Sequence, residues 1–142
     1  MRSRGEQVWI LASAAPAVSG IMAAVALEDW TGRSLTTWRG PVTARSAEGG
    51  ALLAIVEGLR KARDRGAREV TVLCPFRKLA ARLNRREPIA WNDPLARSWM
   101  QARALSHTFG RCEFHYKDAA STGHVTELAL SGILSQPLAQ AA

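Results

Sequence analysis

Residues 43–74 read TARSAEGGALLAIVEGLRKARDRGAREVTVLC, and this stretch decides the fold. Its apolar side chains recur at helical spacing, which predicts an amphipathic helix with one face in a core, at Leu52, Ile55, Val56 and Leu59. Ser46 is the predicted N-cap, which places Glu48 in the first turn, at the top of the core-facing stripe. A basic turn follows. The apolar, β-branched segment Val70–Cys74 then predicts a strand covered on both faces.

Length and charge limit what kind of protein this is. The chain has 142 residues, which predicts a single domain with a core over about residues 7–134 and tails at 1–6 and 135–142. No apolar run approaches the roughly 20 residues of a membrane span, so we expect no membrane partner. A formal net charge of +7 and a pI near 10.7 predict a polyanionic partner, such as nucleic acid. A basic solvated surface without such a partner is the alternative.

The first 20 residues superficially resemble a secretion signal, with a basic start and an apolar centre. Pro16 interrupts that centre early, and Val8–Ala12 is needed as a strand, so we reject this interpretation. The two cysteines, Cys74 and Cys112, adjoin apolar strands and are predicted as buried free thiols. A reducing, cytoplasmic location is therefore expected.

Three short antiparallel strands are predicted before the helix, at Gln7–Ala14, Ile21–Glu28 and Ser34–Arg39. A small-residue turn over 15–20 separates the first two, and Gly40-Pro41 ends the third.

After the Val70 strand, a short helix over Phe76–Leu83 is closed by Asn84. Asp93-Pro94 predicts the start of a third helix, which continues to Phe109 and stops at Gly110. Alternating residues 111–116 predict a fifth strand with one wet face, and Val125–Ile133 predicts a last helix. The fold class is therefore α/β, a five-stranded mixed sheet flanked by helices.

This order resembles the ribonuclease H-like fold, in its type 1 ribonuclease H and reverse-transcriptase-like branch. Ala47-Glu48 followed by Ala51–Leu59 resembles the family helix that an Ala-Glu or Met-Glu pair opens. Val70–Pro75 resembles the family strand that ends in a Ser-Asp or Thr-Asp pair, and Leu79–Asn84 resembles the helix after that strand. Thr126–Ala129 resembles the Asp-Glu-Leu-Ala of the family's final helix. The resemblance covers about residues 8–134.

The resemblance implies cleavage of the RNA strand of an RNA–DNA hybrid by two divalent metals that four carboxylates hold. Two Mg²⁺ ions about 4 Å apart need several anionic oxygens. At the four corresponding positions this sequence has Ala12, Glu48, Pro75 and Thr126. Only Glu48 is a carboxylate, and one carboxylate cannot balance the charge of two dications. The sequence therefore predicts a degenerate site with no metal cofactor.

Other acidic or histidine side chains could in principle restore the site, and the nearest in sequence are Glu28, Asp29, Asp118, Glu127, His115 and His124. Glu127 is one step from the lost fourth position, but one step along a helix turns a side chain by about 100°. None restores a cluster by its spacing. If catalysis nevertheless survives, Mg²⁺ or Mn²⁺ is the expected cofactor. Glu48 itself has a simpler explanation, since a carboxylate in a first helical turn stabilises the helix dipole.

Basic residues crowd the second predicted helix and its exit, at Arg77, Lys78, Arg82, Arg85 and Arg86. The resemblance implies that this region approaches a nucleic-acid backbone, and a solvated basic face is the alternative. A second basic run over 60–68 ends the first helix, where the dipole favours cations, and is interpreted as structural.

The chain is rich in tryptophan. Trp9 and Trp99 fall on predicted core stripes. Trp30 and Trp91 lie in predicted turns, where an exposed indole could stack on a base or a partner, although core or partial burial is the simpler expectation for each.

These observations lead to one hypothesis and two alternatives. The hypothesis is a catalytically degenerate ribonuclease H-like domain that binds RNA or an RNA–DNA hybrid through basic backbone contacts. The first alternative is an active metal-dependent endoribonuclease on RNA–DNA hybrids with a divergent site. The second is a protein-interaction scaffold.

Overall fold

The computed structural model describes residues 6–18, 20–85 and 87–117. Within these residues, five strands and three helices follow one another in the order β1 (Glu6–Ala17), β2 (Gly20–Glu28), β3 (Ser34–Val42), α1 (Ala47–Asp64), β4 (Ala67–Cys74), α2 (Arg77–Arg85), α3 (Ala96–Ser106) and β5 (Arg111–Tyr116). The last helix, predicted over 125–133, lies outside the described residues. None of the helices in the described part combines the length and the apolarity needed to span a membrane.

The five strands form one sheet in the order β3-β2-β1-β4-β5. The pairs β1–β2 and β2–β3 are antiparallel, whereas β1–β4 and β4–β5 are parallel. A crossover through α1 joins the meander to β4, as the alternation of helices and strands predicted. The predicted fold class is confirmed.

α1 packs across β1 and β2 and buries the main core. Ser46 caps it as predicted, because the Ser46 hydroxyl accepts a hydrogen bond from the Gly49 amide at 3.1 Å. Gly50 lets the helix approach the sheet, since a Cβ there would lie 2.4 Å from Cγ2 of Ile21. The predicted α1 stripe is confirmed by the burial of Leu52, Ile55, Val56 and Leu59.

Several predicted boundaries were wrong. β1 reaches Ala17, so the first turn is shorter than predicted. β3 does not stop at Arg39 but continues through Gly40 and Pro41 to Val42. Pro41 is tolerated because β3 is an edge strand, which pairs with β2 on one side and, among the described residues, has no strand to hydrogen-bond on the other.

The boundaries of α2 and α3 also differ from the prediction. α2 runs one residue past Asn84. α3 begins at Ala96 and not at Asp93-Pro94, because the Asp93 carboxylate accepts a hydrogen bond from the Leu95 amide at 2.8 Å and closes a turn before the helix. α3 ends at Ser106, and Phe109 is buried in the core from the loop that follows.

Asn84 has a role that the sequence did not reveal. Its amide nitrogen donates to the Phe114 carbonyl, and its carbonyl oxygen accepts from the Phe114 amide at 3.1 Å. Phe114 lies on β5, the last strand of the sheet. The side chain therefore satisfies backbone groups at an open edge, as a neighbouring strand would.

We expect Asn84→Asp to lower the free energy of unfolding by about 1–3 kcal/mol, because a carboxylate oxygen replaces the donor and leaves the Phe114 carbonyl unpaired. Urea unfolding followed by circular dichroism measures this. Asn92→Asp, at an exposed loop position, is the matched control and should change little. Equal stability of the two variants would contradict the role of Asn84.

Candidate functional site

Three of the four positions that the resemblance picks out lie in the described part of the chain. Ala12 is fully buried on the α1 side of β1, one residue beyond the pair Leu11–Leu73 that joins β1 to β4. Pro75 directly follows β4. Glu48 is half-buried in the first turn of α1. Thr126 lies outside the described residues.

Cys74 shows that α1 and the end of β4 meet at this point. Its thiol donates to the Phe76 carbonyl at 3.6 Å. Burial raises the pKa of the Cys74 thiol, and the nearby charge of Glu48 raises it further. Glu48 therefore lies close to the end of β4, where the resemblance places it. The thiol stays protonated at neutral pH, so Cys74 adds no negative charge here. The predicted burial of Cys74 is confirmed, whereas Cys112 is only half-buried.

The donor set that the described residues provide at this point does not fit a pair of hard divalent cations. Ala12 and Pro75 have no side-chain oxygen, and a neutral thiol is a poor ligand for Mg²⁺. No group of three or more His, Cys, Asp or Glu side chains that could hold a metal occurs within residues 6–18, 20–85 and 87–117. In the same residues, Glu48 makes no hydrogen bond or ion pair.

Two of the carboxylates considered as replacements, Glu28 and Asp29, lie elsewhere. Glu28 pairs with Trp9 across the β1–β2 ladder, on the sheet face opposite Ala12. Asp29 closes the β2–β3 turn: one oxygen accepts from the hydroxyl and amide of Thr31 and from the Arg33 amide. These hydrogen bonds, that of the Thr31 hydroxyl above all, lower the pKa of Asp29.

Of the remaining alternatives, only His115 lies in the described residues, and it does not complete a site there. His115 contacts Glu113 at 3.0 Å on the sheet face opposite α1. Asp118, His124 and Glu127 lie outside the described residues.

The predicted basic patch divides into two groups. Arg82 stacks on the Trp99 ring at 4.4 Å and lies 3.5 Å from Glu87. Arg85 lies 3.4 Å from Glu87. Both side chains therefore fix the segment after α2. Arg86 lies outside the described residues.

Arg77 and Lys78 form the second group, in the first turn of α2 directly after Pro75. Both are exposed, and Arg77 lies over the Tyr116 ring at 4.5 Å from its centroid.

Two further cations lie at the same edge, and the sequence reasoning missed them. The Lys117 amide donates to the Cys74 carbonyl at 3.0 Å, which places Lys117 beside the end of β4. Arg45 is exposed in the loop before α1. The sequence could have indicated these two cations, because Lys117 directly follows a predicted strand and Arg45 precedes a predicted helix. We call the region formed by Arg45, Glu48, Pro75, Arg77, Lys78 and Lys117 the carboxyl edge.

Three arginines of the basic run over 60–68 form local ion pairs. Arg60 lies 3.3 Å from Glu57, Arg63 lies 3.4 Å from Asp64, and Arg65 reaches Glu6 at 2.9 Å. This run lies at the opposite end of α1 from the carboxyl edge.

A three-strand meander joined through one helix to parallel strands defines the ribonuclease H-like class of α/β proteins. The family model described as reverse transcriptase-like matches residues 16–129, and the chain belongs to this family. No curated protein matches the chain by sequence.

Solved structures share the fold at low sequence identity. The N-terminal ribonuclease H domain of a Mycobacterium tuberculosis protein, solved as a fusion with maltose-binding protein, is similar with a TM-score of 0.83 and 18% identity over 95% of this chain and 99% of that one. Ribonuclease H1 from the archaeon Halobacterium salinarum is similar with a TM-score of 0.77 and 18% identity, over 90% of this chain and 97% of that one. LC11 ribonuclease H1, which was isolated from compost and solved with an RNA/DNA hybrid, is similar with a TM-score of 0.77 and 12% identity, over 89% of this chain and 96% of that one.

Proposed function

We propose that this protein binds nucleic acid, RNA or an RNA–DNA hybrid, through phosphate contacts and does not cut it by two-metal hydrolysis. The proposal that two-metal hydrolysis is absent rests on Ala12 and Pro75, whose side chains have no oxygen at positions where metal ligands would be needed. Among the residues that the structure describes, Glu48 then remains as a carboxylate without the partners that a metal pair requires.

Charge supports the first half of the proposal. The carboxyl edge presents four exposed cations beside one half-buried carboxylate, and the chain carries a net charge of +7. Similar folds have been solved with nucleic acid: LC11 ribonuclease H1 and a foamy viral protease-reverse transcriptase were each solved with an RNA/DNA hybrid. Cationic side chains that contact phosphates bind without regard to base sequence.

Binding that does not depend on a metal is the direct test. We expect the full chain to bind a labelled RNA–DNA hybrid equally well in millimolar Mg²⁺ and in excess EDTA, because protein cations and not bound metals contact the phosphates. Fluorescence anisotropy at constant ionic strength measures both affinities. An affinity that falls tenfold or more in EDTA would indicate a metal at the interface and would overturn the proposal.

Exposed aromatic side chains favour the second candidate function, a protein-interaction scaffold. Trp91 is 92% exposed and Trp30 is 73% exposed, so the expectation of partial burial was wrong for both. Such side chains are common anchors at protein interfaces. Light scattering with and without nucleic acid distinguishes the two functions, since a scaffold would associate without it.

A further inference from the structure

An open pocket lies on the sheet face opposite α1. It has a volume of about 230 Å³ and is lined by side chains of β1, β4 and β5, among them Gln7, Trp9, Glu69, Thr71, Arg111 and Glu113. These residues lie at the amino-terminal ends of the three parallel strands, far from the carboxyl edge. We call this site the Trp9 pocket.

Trp9 is exposed although it lies on the central strand of the sheet. The indole is 43% exposed, so the prediction that it packs in the core was wrong. Its neighbours Val8 and Ile10 point to the α1 side and are fully buried, whereas Trp9 pairs with Glu28 and Thr71 on the other face. The pocket therefore has a large, flat aromatic surface along one side.

Carboxylates from three strands share this face with the indole. Glu28 is the cross-strand partner of Trp9 on β2. Glu69 on β4 is held by the Gln7 amide, which donates to one of its oxygens at 2.9 Å. Glu113 on β5 accepts from Arg111 at 2.7 Å and contacts His115 at 3.0 Å. These two contacts, that of His115 first, lower the pKa of Glu113, so it stays ionised.

The charge of the pocket is opposite to that of the protein. Among the described residues that line it, Glu69 and Glu113 are carboxylates and Arg111, which donates to Glu113, is the one strong cation, in a chain whose net charge is +7. Carboxylates around an aromatic face repel phosphate and attract cations, and the ring quadrupole adds to that attraction. The described residues offer no metal-binding cluster here, so an organic cation suits the pocket better than a metal ion.

We propose that the Trp9 pocket binds an organic cation, a guanidinium or ammonium group that stacks on Trp9 and pairs with Glu69. The group could come from an arginine or lysine side chain of a partner peptide or from a free polyamine. The inference does not rest on the nucleic-acid proposal, because the pocket lies on the other face and at the other end of the sheet.

Titration of the full chain with short capped peptides tests this. The probes are a peptide with two arginines, the same peptide with citrulline, its lysine counterpart, and spermidine. We expect the arginine peptide to bind and the citrulline peptide, which has the same shape without the charge, to bind at least about fivefold more weakly. Spermidine that binds more tightly than either peptide would support the site and assign its ligand to the polyamines.

Variants then locate the site. Trp9→Leu should weaken arginine-peptide binding about 5- to 20-fold, and Glu69→Gln, which keeps the side-chain shape, should weaken it severalfold. Trp91→Leu and Glu57→Gln are matched controls outside the pocket and should leave binding unchanged. Circular dichroism checks folding, and Glu69→Gln keeps the test valid if Trp9→Leu unfolds. Equal binding of the citrulline peptide, or no effect of Glu69→Gln, would overturn the proposal.

Discussion

An RNA–DNA hybrid is expected to remain uncut by this protein in millimolar Mg²⁺ or Mn²⁺, at a rate at least about a thousandfold below that of an active type 1 ribonuclease H. A metal pair supplies several kcal/mol of charge stabilisation in the transition state, and each 1.36 kcal/mol corresponds to a tenfold change in rate. Ala12 and Pro75 contribute no ligand oxygen, and the Cys74 thiol beside them is neutral because its pKa is raised.

The assay needs a positive and a negative control. Ribonuclease H1 from Halobacterium salinarum, assayed in its own buffer, shows that the hybrid can be cut. Glu48→Gln removes the carboxylate of the carboxyl edge without changing its shape. Metal-dependent cleavage by the parent protein that disappears in Glu48→Gln would establish a divergent active site and would contradict the non-catalytic proposal.

The order of the strands could be predicted from the sequence, because hydrophobic periodicity and the resemblance agreed over the same segments. The α1 stripe and its Ser46 cap depend on local spacing, and both were predicted correctly. The end of β3 could not be predicted in the same way. Gly40-Pro41 is a strong local turn signal, but whether a strand tolerates proline depends on whether it lies at the sheet edge, which is a tertiary property.

Exposure of Trp9 was unpredictable for a related reason. The run from Val8 to Ala12 is apolar, so its pattern does not tell which face of β1 is covered. Alternation puts Trp9 opposite Val8 and Ile10, but burial on each face depends on what packs there.

The basic patch shows the limit of sequence reasoning about the site. Arg82 and Arg85 are close in sequence to Arg77 and Lys78, yet they contact Trp99 and Glu87 because the segment after α2 folds back on them. Lys117 is distant in sequence but lies beside Cys74, because β5 runs parallel to β4. Net charge predicted a polyanionic partner, whereas the choice of cations needed the three-dimensional arrangement.

Removal of charge from the carboxyl edge should change how nucleic-acid binding depends on salt. The triple variant Arg77→Gln, Lys78→Gln, Lys117→Gln is expected to reduce the slope of log K against log salt by about 2 to 3, because each lost phosphate contact removes just under one released counterion. Binding should weaken alike for unrelated base sequences, since phosphates carry no sequence information. Anisotropy titrations with a hybrid from 50 to 200 mM salt measure the slope.

A control of equal charge separates a local contact from a general effect of net charge. The triple variant Lys61→Gln, Arg63→Gln, Arg68→Gln also loses three cations, at the opposite end of α1 and at the start of β4, so each variant has a net charge of +4 where the parent has +7. Long-range attraction is screened beyond about 10 Å at 0.1 M salt, so the control should keep a slope close to that of the parent. Arg85→Gln, which removes a cation already paired with Glu87, should also change little. If both triple variants lower the slope equally, the nucleic acid is not bound at the carboxyl edge. If neither lowers it, the basic surface is solvated and binding has another origin.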